Sequence, residues 1–269
     1  MDDVDGQRMA DLQREFAVGE LVEQLQRLGV TPGGVLLVHT SFRAVRPVEE
    51  GIRGLIEALL AALGHDGTLV MPSWTGDDET PFDPANTPPA EDLGAAPKVF
   101  SKMPKVVRSD HPFAFAAKGP QAGAIVGGDL VLPPHCHASP IGRVLDLDGQ
   151  ILLLGVGHDA NTMLHLAELL AGVPYRTPKH ITVLKDGKPH RLDYEENDHC
   201  CERFALADDW LREAGAQSEG PVGHGLAKLF RARDLIRVAV PRIEADPLVF
   251  LHPEASDCAE CAEARKGLD

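Results

Sequence analysis

Between Asn161 and Leu170 the chain reads NTMLHLAELL, which sets His165 and Glu168 three residues apart. Residues three apart on a helix share a face. An imidazole titrates near neutrality, and a carboxylate beside it can fix its tautomer. The pair can therefore serve as a general base with its orienting partner. A surface His–Glu ion pair has the same spacing. His158 and Asp159 stand just upstream. His158, His165 and Glu168 could also hold a catalytic metal, although His-x6-His-x2-Glu is not a standard zinc signature.

Other groups suited to chemistry lie far apart in the chain. Trp74, Asp77 and Asp78 fall in PSWTGDDETPFDPANTPPAEDLG, residues 72–94. Carboxylates beside an aromatic wall suit a cation, and a solvated loop has the same composition. Asp193, Glu195, Glu196 and Asp198 form a second acidic cluster. Lys98, Lys102, Lys105 and Arg108 make a basic island in an acidic chain, which suits phosphates or is scattered surface charge. Cys200, Cys201, Cys258 and Cys261 come in two pairs. They can make a structural tetrahedral zinc site tying the tail to a helix over 198–212. Adjacent cysteines rarely both ligate, so His199 or His252 can replace one. Four reduced thiols are the alternative. Cys136 reads as a free thiol.

These residues need elements to hold them. Ile151–Leu154 is an apolar run fit for a buried strand, broken by Gly155 and Gly157. Asn161 or Thr162 can cap the helix carrying His165. Val35–Val38 and Thr68–Met71 read as strands around a helix over 51–63, a βαβ-like unit. Met9, Leu12, Phe16, Leu21, Val22, Leu25 and Leu28 recur at helical spacing. A short helix is expected over 141–147. Asp186-Gly187 predicts a hairpin between runs 180–184 and 190–194. Asp198 can cap a helix containing Phe204, Leu206, Trp210 and Leu211. Residues 221–231 read as a helix starting at Pro221, and Leu235–Val240 as a final strand. The whole, 1–269, reads as a single α/β domain with a mixed central sheet flanked by helices.

The charge narrows the partners. There are 26 Lys+Arg against 41 Asp+Glu, a formal net charge of −15. Such a surface repels phosphate backbones, so nucleic acid is not expected. It attracts polycations, though acidity also simply favours solubility. No apolar run approaches a membrane span, and the acidic start is unlike a signal peptide, which together favour the cytoplasm. Neither a Gly-x-Ser-x-Gly elbow, a Walker lysine motif nor a dinucleotide glycine fingerprint is present.

Longer segments carry a resemblance. They are GGVLLVHTSFRAVRP (33–47), GTLVMPSWTG (67–76), VRSDHPFAFAAKGPQA (107–122), GQILLLGVGHDANTMLHLAELL (149–170), NDHCCERFALADDWL (197–211) and GPVGHGLAKLFRARDLI (220–236). With these the sequence resembles the aminoglycoside 3-N-acetyltransferases, and within them the type IV branch. The resemblance implies an α/β fold of the family's own, distinct from the common N-acetyltransferase superfamily. It implies transfer of acetyl from acetyl-CoA to the 3-amine of a 2-deoxystreptamine ring, conferring antibiotic resistance. The family's Thr-x-x-His-x-x-Glu motif matches Thr162, His165 and Glu168, which makes His165 the implied base. Its CoA-binding segments match Thr40, Ser41, Phe42 and Arg43, then Pro72 and Ser73, then Arg108, Ser109, His111 and Pro112. Drug-side contacts are expected from Trp74, Asp77, Asp78, Asp159, Glu168, Asp193, Glu195, Glu196 and Asp198. The 193–198 cluster departs from the pattern of many members, and the four paired cysteines are not general to the family. The expected assembly is a monomer or homodimer. A zinc hydrolase and a non-catalytic binder of cations are the competing classes.

Overall fold

The computed structural model describes residues 14–268. Helix α1 (Val18–Leu28) buries Leu21, Leu25 and Leu28 and ends at Gly29 in the left-handed region. Met9 and Leu12, expected on its apolar face, lie outside the described residues. Phe16 precedes the helix and makes an extended bridge to Val48. Strand β1 (Val35–Thr40), the single turn α2 (Phe42–Val45), helix α3 (Ile52–Leu63) and β2 (Thr68–Pro72) form the expected βαβ unit. A long irregular stretch leads to α4 (Ala95–Phe100), β3 (Val107–Arg108), β4 (Phe115–Lys118), α5 (Ala122–Val126) and α6 (Pro140–Asp146). Then come β5 (Gln150–Leu154), a 3-10 turn at His158–Ala160, α7 (Met163–Ala171) and the hairpin β6 (Thr177–Lys185)–β7 (Lys188–Glu196). A 3-10 turn at Glu202–Ala205 enters α8 (Leu206–Glu213). Strands β8 (Gln217–Val222) and β9 (Gly225–Arg231) and helices α9 (Ala232–Ala245) and α10 (Ala259–Lys266) complete the fold.

Seven strands lie in the order β3-β4-β2-β1-β5-β9-β8. Only β2, β1 and β5 are parallel to one another, and the flanking strands pair antiparallel. The apolar runs are continuous because these central strands are covered on both faces. Leu36, Val38, Leu69, Leu152 and Leu154 face α1 and α3. Leu37, Val70, Ile151 and Leu153 face α6, α7 and α9. Hairpin β6–β7 stands apart as its own two-stranded sheet.

Two expected elements exchange type. Residues 221–231 are strand, not helix: Pro221 sits on edge strand β8, where a missing amide is tolerated, and Gly223 (φ 60°) turns the chain into β9. Residues 235–240 are helix, not strand. Leu235, Val238, Ala239 and Ile243 are buried at helical spacing, and packing on the sheet overrides the β-branched composition. The helix expected from 198 to 212 begins only at Leu206. Asp198 is not its cap and pairs instead with Lys179.

Candidate active site

The three parallel strands end on one crevice, the usual ligand position in an open α/β sheet. β1 delivers His39 and Thr40, and β2 delivers Pro72 ahead of Ser73 and Trp74. β5 runs into Gly155 at φ 69°, where an added Cβ would lie 2.5 Å from Ala44 Cβ. Only glycine makes that turn without displacing α2. The chain then drops through the 3-10 turn to Asn161, whose Oδ1 accepts the Met163 amide (3.2 Å). This carboxamide, rather than Thr162, caps α7. Thr162 Oγ1 instead lies 3.4 Å from His39 Nε2.

α7 places His165 in the wall of a cavity of about 430 Å³, lined also by Thr40, Trp74, Asp92, Asp159, Asn161 and Cys201. A second hollow of about 310 Å³ shares Trp74, Asp92, Thr162, His165 and Cys201 and adds His135, Glu196, Asn197 and Asp198. His165 thus stands where the two meet.

Glu168 lies one turn along α7 and is fully buried. Its Oε2 accepts from His165 Nδ1 (3.2 Å) and Asn197 Nδ2 (2.6 Å). Its Oε1 accepts from His199 Nε2 (2.8 Å) and the Tyr175 hydroxyl. Burial pushes this carboxyl up, but the bonds from His165 and His199 outweigh burial and hold it at about 2. Glu168 is therefore an anion with both oxygens committed. It lines neither hollow, which removes it from the expected drug contacts. With Nδ1 of His165 donating to Glu168, the lone pair of the neutral ring falls on Nε2, and Cys201 Sγ lies 3.5 Å from it. Burial pulls the His165 pKa down. The Cys201 sulfur and Glu168 more than reverse this, so it lies well above the usual imidazole value. His135 stacks on His165 with ring centroids 5.1 Å apart.

The expected drug-side residues divide. Trp74, Asp159, Glu196 and Asp198 line the hollows. Asp77 accepts the Glu79 and Thr80 amides in its own exposed turn (3.0 and 2.9 Å). Asp78 receives Thr182 Oγ1 on its carbonyl (2.7 Å), tying the 72–94 loop to the hairpin. Asp193 pairs with Arg191 (2.9 Å), and with Glu195 it faces the outer side of the hairpin. None of these four borders the crevice. Glu196 does, and burial first, then Asp198, pushes its pKa up to about 7.

The segments expected to hold CoA divide too. Thr40 and Pro72 line the larger hollow. Ser41, Phe42 and Arg43 follow at the start of α2, and Ser73 is buried. Arg108 turns inward: Nε donates to Ser73 O (3.1 Å), Nη1 to Thr87 O, and the guanidinium lies over Phe82. It straps the 72–94 loop and presents no free edge to a phosphate. Ser109 Oγ accepts the Phe115 amide (3.0 Å), His111 bonds Phe113 N and Val131 O, and Pro112 O accepts the Thr75 amide. These side chains brace one another.

The cysteines also rearrange. Cys200, Cys258 and Cys261 converge with His252, every donor atom within 4.8 Å of the others. Cys201 does not join them. Its φ of 61° turns its side chain to His165, away from the tail. The substitution of His252 for a cysteine was one of the two expected from sequence. His199 is instead bound to Glu168. The catalytic-metal trio fails to assemble, because His158 bonds Gln217 and Asn161 (3.1 Å each), stacks on Phe230 and lines neither hollow.

Sequence reasoning missed His39, Asp92, His135, Asn161 as a wall residue, and Asn197. Asp92 lay within the acidic loop and could have been found there. His135 carried no signal, since its loop reaches the site only through the fold.

A mixed sheet flanked by helices, on a scaffold distinct from the common N-acetyltransferase superfamily, is the fold of the antibiotic N-acetyltransferases. The family described as aminoglycoside 3-N-acetyltransferase matches residues 37–244, and the chain belongs to that family. Aminoglycoside N(3)-acetyltransferase IV of a Salmonella species is 63% identical over 242 residues, 90% of this chain and 93% of that protein. The crystal structure of a histidine-to-alanine mutant of aminoglycoside acetyltransferase AAC(3)-IVa in complex with a gentamicin superposes with a TM-score of 0.93. It is 62% identical and covers 95% of this chain and 98% of that one. The apramycin complex of that mutant gives a TM-score of 0.88 at 59% identity, with 93% and 99% coverage.

Proposed function

We propose that this chain transfers acetyl from acetyl-CoA to the 3-amine of the 2-deoxystreptamine ring of aminoglycosides, with His165 as general base. The observation that carries the reading is the fully bonded Glu168, which fixes His165 with Nε2 toward an acid-lined cavity. The drug enters as a polycation. Asp92, Asp159, Glu196 and Asp198 receive its ammonium groups beside the Trp74 ring. In the fraction of the enzyme whose imidazole is neutral, a fraction that grows as pH rises, His165 Nε2 takes the proton from the reacting amine. Glu168 remains ionised and stabilises the imidazolium. The freed amine attacks the thioester carbonyl. Thr40 Oγ1, buried in the cavity wall with no hydrogen-bond partner among the described residues, would donate to the developing oxyanion. CoA leaves as a thiolate, helped by a thiol pKa of roughly 8.5. With Arg108 committed to carbonyls, Arg43, Lys102 and Lys105 are the cations of the expected set left for the CoA diphosphate. The test is release of CoA thiol against a panel of aminoglycosides. His165→Ala should lose on the order of 10² to 10⁴ in turnover with its fold intact. Near-normal turnover by that variant would sink the role given to His165.

A structural zinc ion belongs to the same reading. Donors around zinc, about 2.3 Å from each sulfur, stand about 3.8 Å apart in a tetrahedron. Cys200 Sγ lies 3.6 Å from Cys261 Sγ and 3.3 Å from His252 Nδ1, and Cys261 Sγ lies 3.6 Å from that nitrogen. Glu202 sits 3.4 Å from His252 Nε2, the outer carboxylate that orients a ligating imidazole. Cys200, His252, Cys258 and Cys261 would hold the ion, which would cross-link the tail and take no part in acetyl transfer.

A further inference from the structure

Direct transfer from CoA to drug has no need of a thiol, yet Cys201 stands at the junction of both hollows. It belongs to no metal cluster with the tail. Its backbone occupies the left-handed region at φ 61°, a conformation that a non-glycine residue holds only when its surroundings impose it. Two contacts impose it here: its amide donates to His199 Nδ1 (3.1 Å) and its thiol to His199 O (3.3 Å). The thiol is also 3.5 Å from His165 Nε2, and His165 Nδ1 is 3.2 Å from Glu168. Thiol, imidazole and carboxylate thus stand in the order of nucleophile, base and orienting acid. Two buried polar atoms of residues lining the hollows, Thr40 Oγ1 and His135 Nε2, have no hydrogen-bond partner among the described residues, which a ligand would supply.

We propose that Cys201 is an acyl-acceptor site, and that acetyl-CoA acetylates its sulfur when no aminoglycoside is bound. The inference rests on the proposed function in one respect, that the thioester carbonyl comes within reach of an amine activated by Nε2. Reacting atoms meet at about 3–3.5 Å. A sulfur 3.5 Å from that same nitrogen competes for the same carbon. In the step, which starts from the neutral His165 ring, the Cys201 thiol proton passes to Nε2 as sulfur bonds to the acetyl carbonyl carbon. The tetrahedral adduct expels the CoA sulfur, which takes the proton back from His165. The products are S-acetyl-Cys201 and CoA thiol. One thioester replaces another, so added CoA thiol reverses the step. A bound drug amine captures the same carbonyl first.

The experiment uses the full wild-type chain with acetyl-CoA and no drug. An acid quench, intact mass and fragmentation of the Cys200–Cys201 peptide follow. The expected result is an acetyl group on Cys201, removed by hydroxylamine and by excess CoA thiol. Labelling should be absent in Cys201→Ala and slowed on the order of 10² or more in His165→Ala. No acetyl at Cys201, or acetyl only at other residues, while drug-dependent CoA release proceeds, overturns the inference and leaves the proposed function standing. No CoA release with any aminoglycoside overturns the proposed function instead. The decisive label is read on the wild-type chain, so it does not depend on how the variants fold.

Discussion

Glu168 accepts four hydrogen bonds and has no capacity left for a substrate, whereas Glu196 is buried beside the cavity with its charge unsettled. Two glutamates 28 positions apart thus do opposite work because their surroundings differ. With its pKa raised to about 7, Glu196 is largely protonated in more acidic solution and cannot then balance an ammonium group. KM for the drug should rise as pH falls below about 7 and level off above it. Glu196→Gln should raise KM about tenfold or more, the usual worth of a hydrogen bond to a charge, and flatten that dependence. A KM of Glu196→Gln that still climbs in acid would assign the effect elsewhere. The His165–Glu168 pair was legible from spacing alone. What rules out a surface pair is the set Tyr175, Asn197 and His199, which bonds Glu168 in the interior. These residues come from two later segments, at 175 and at 197–199, that no local pattern links to α7.

At the level of elements, the turn after β5 depends on Gly155. It combines a left-handed φ with a contact that no side chain can occupy, 2.5 Å from Ala44 Cβ. Gly172, at the other end of α7, has a similar φ of 72° but open space where a Cβ would be. Gly172→Ala should therefore cost only the backbone penalty, about 1 kcal/mol. Gly155→Ala should cost more, roughly 2–4 kcal/mol with overpacking added, and lower turnover because α7 moves with the turn. Equal thermal unfolding shifts for the two variants would contradict this. The central strands and α3 were readable because a strand covered on both faces shows an unbroken apolar run. The β8–β9 hairpin and α9 were misread for a shared reason. Pro221 suits a helix start as well as an edge strand, and β-branched residues on α9 suit a strand until its burial period is seen.

Across the whole molecule, the acidic surface and the tail cluster act over longer distances. The net charge of −15 favours a cationic drug and disfavours CoA, so in the proposed reaction recognition of the latter would fall on local groups at the crevice. The proposed zinc ion would tie α10 to the segment before α8. Metal analysis of the purified chain should find a single zinc ion, lost in Cys258→Ser and Cys261→Ser. Both variants should also unfold at lower temperature, because binding free energy in such sites is folding free energy. A zinc-free chain that melts identically with and without added zinc would remove the cross-link. No helix among the described residues is long and apolar enough to cross a membrane. The cysteine pairing itself was only half legible. Spacing showed two pairs, but which of Cys200 and Cys201 faces the tail is decided by one backbone torsion.

That torsion sets neighbouring side chains on opposite duties, Cys200 toward the tail and Cys201 toward His165. Cys261 follows Cys200 by 61 positions. At a ribosomal pace of roughly 5–20 residues per second, Cys200 waits about 3–12 s for that partner to be made. Strands, cavity and α7 can be in place while the peptide carrying Cys201 still lacks its outer anchor. The loop that carries Cys201 would thus be fastened beside His165 only once residue 261 has been made.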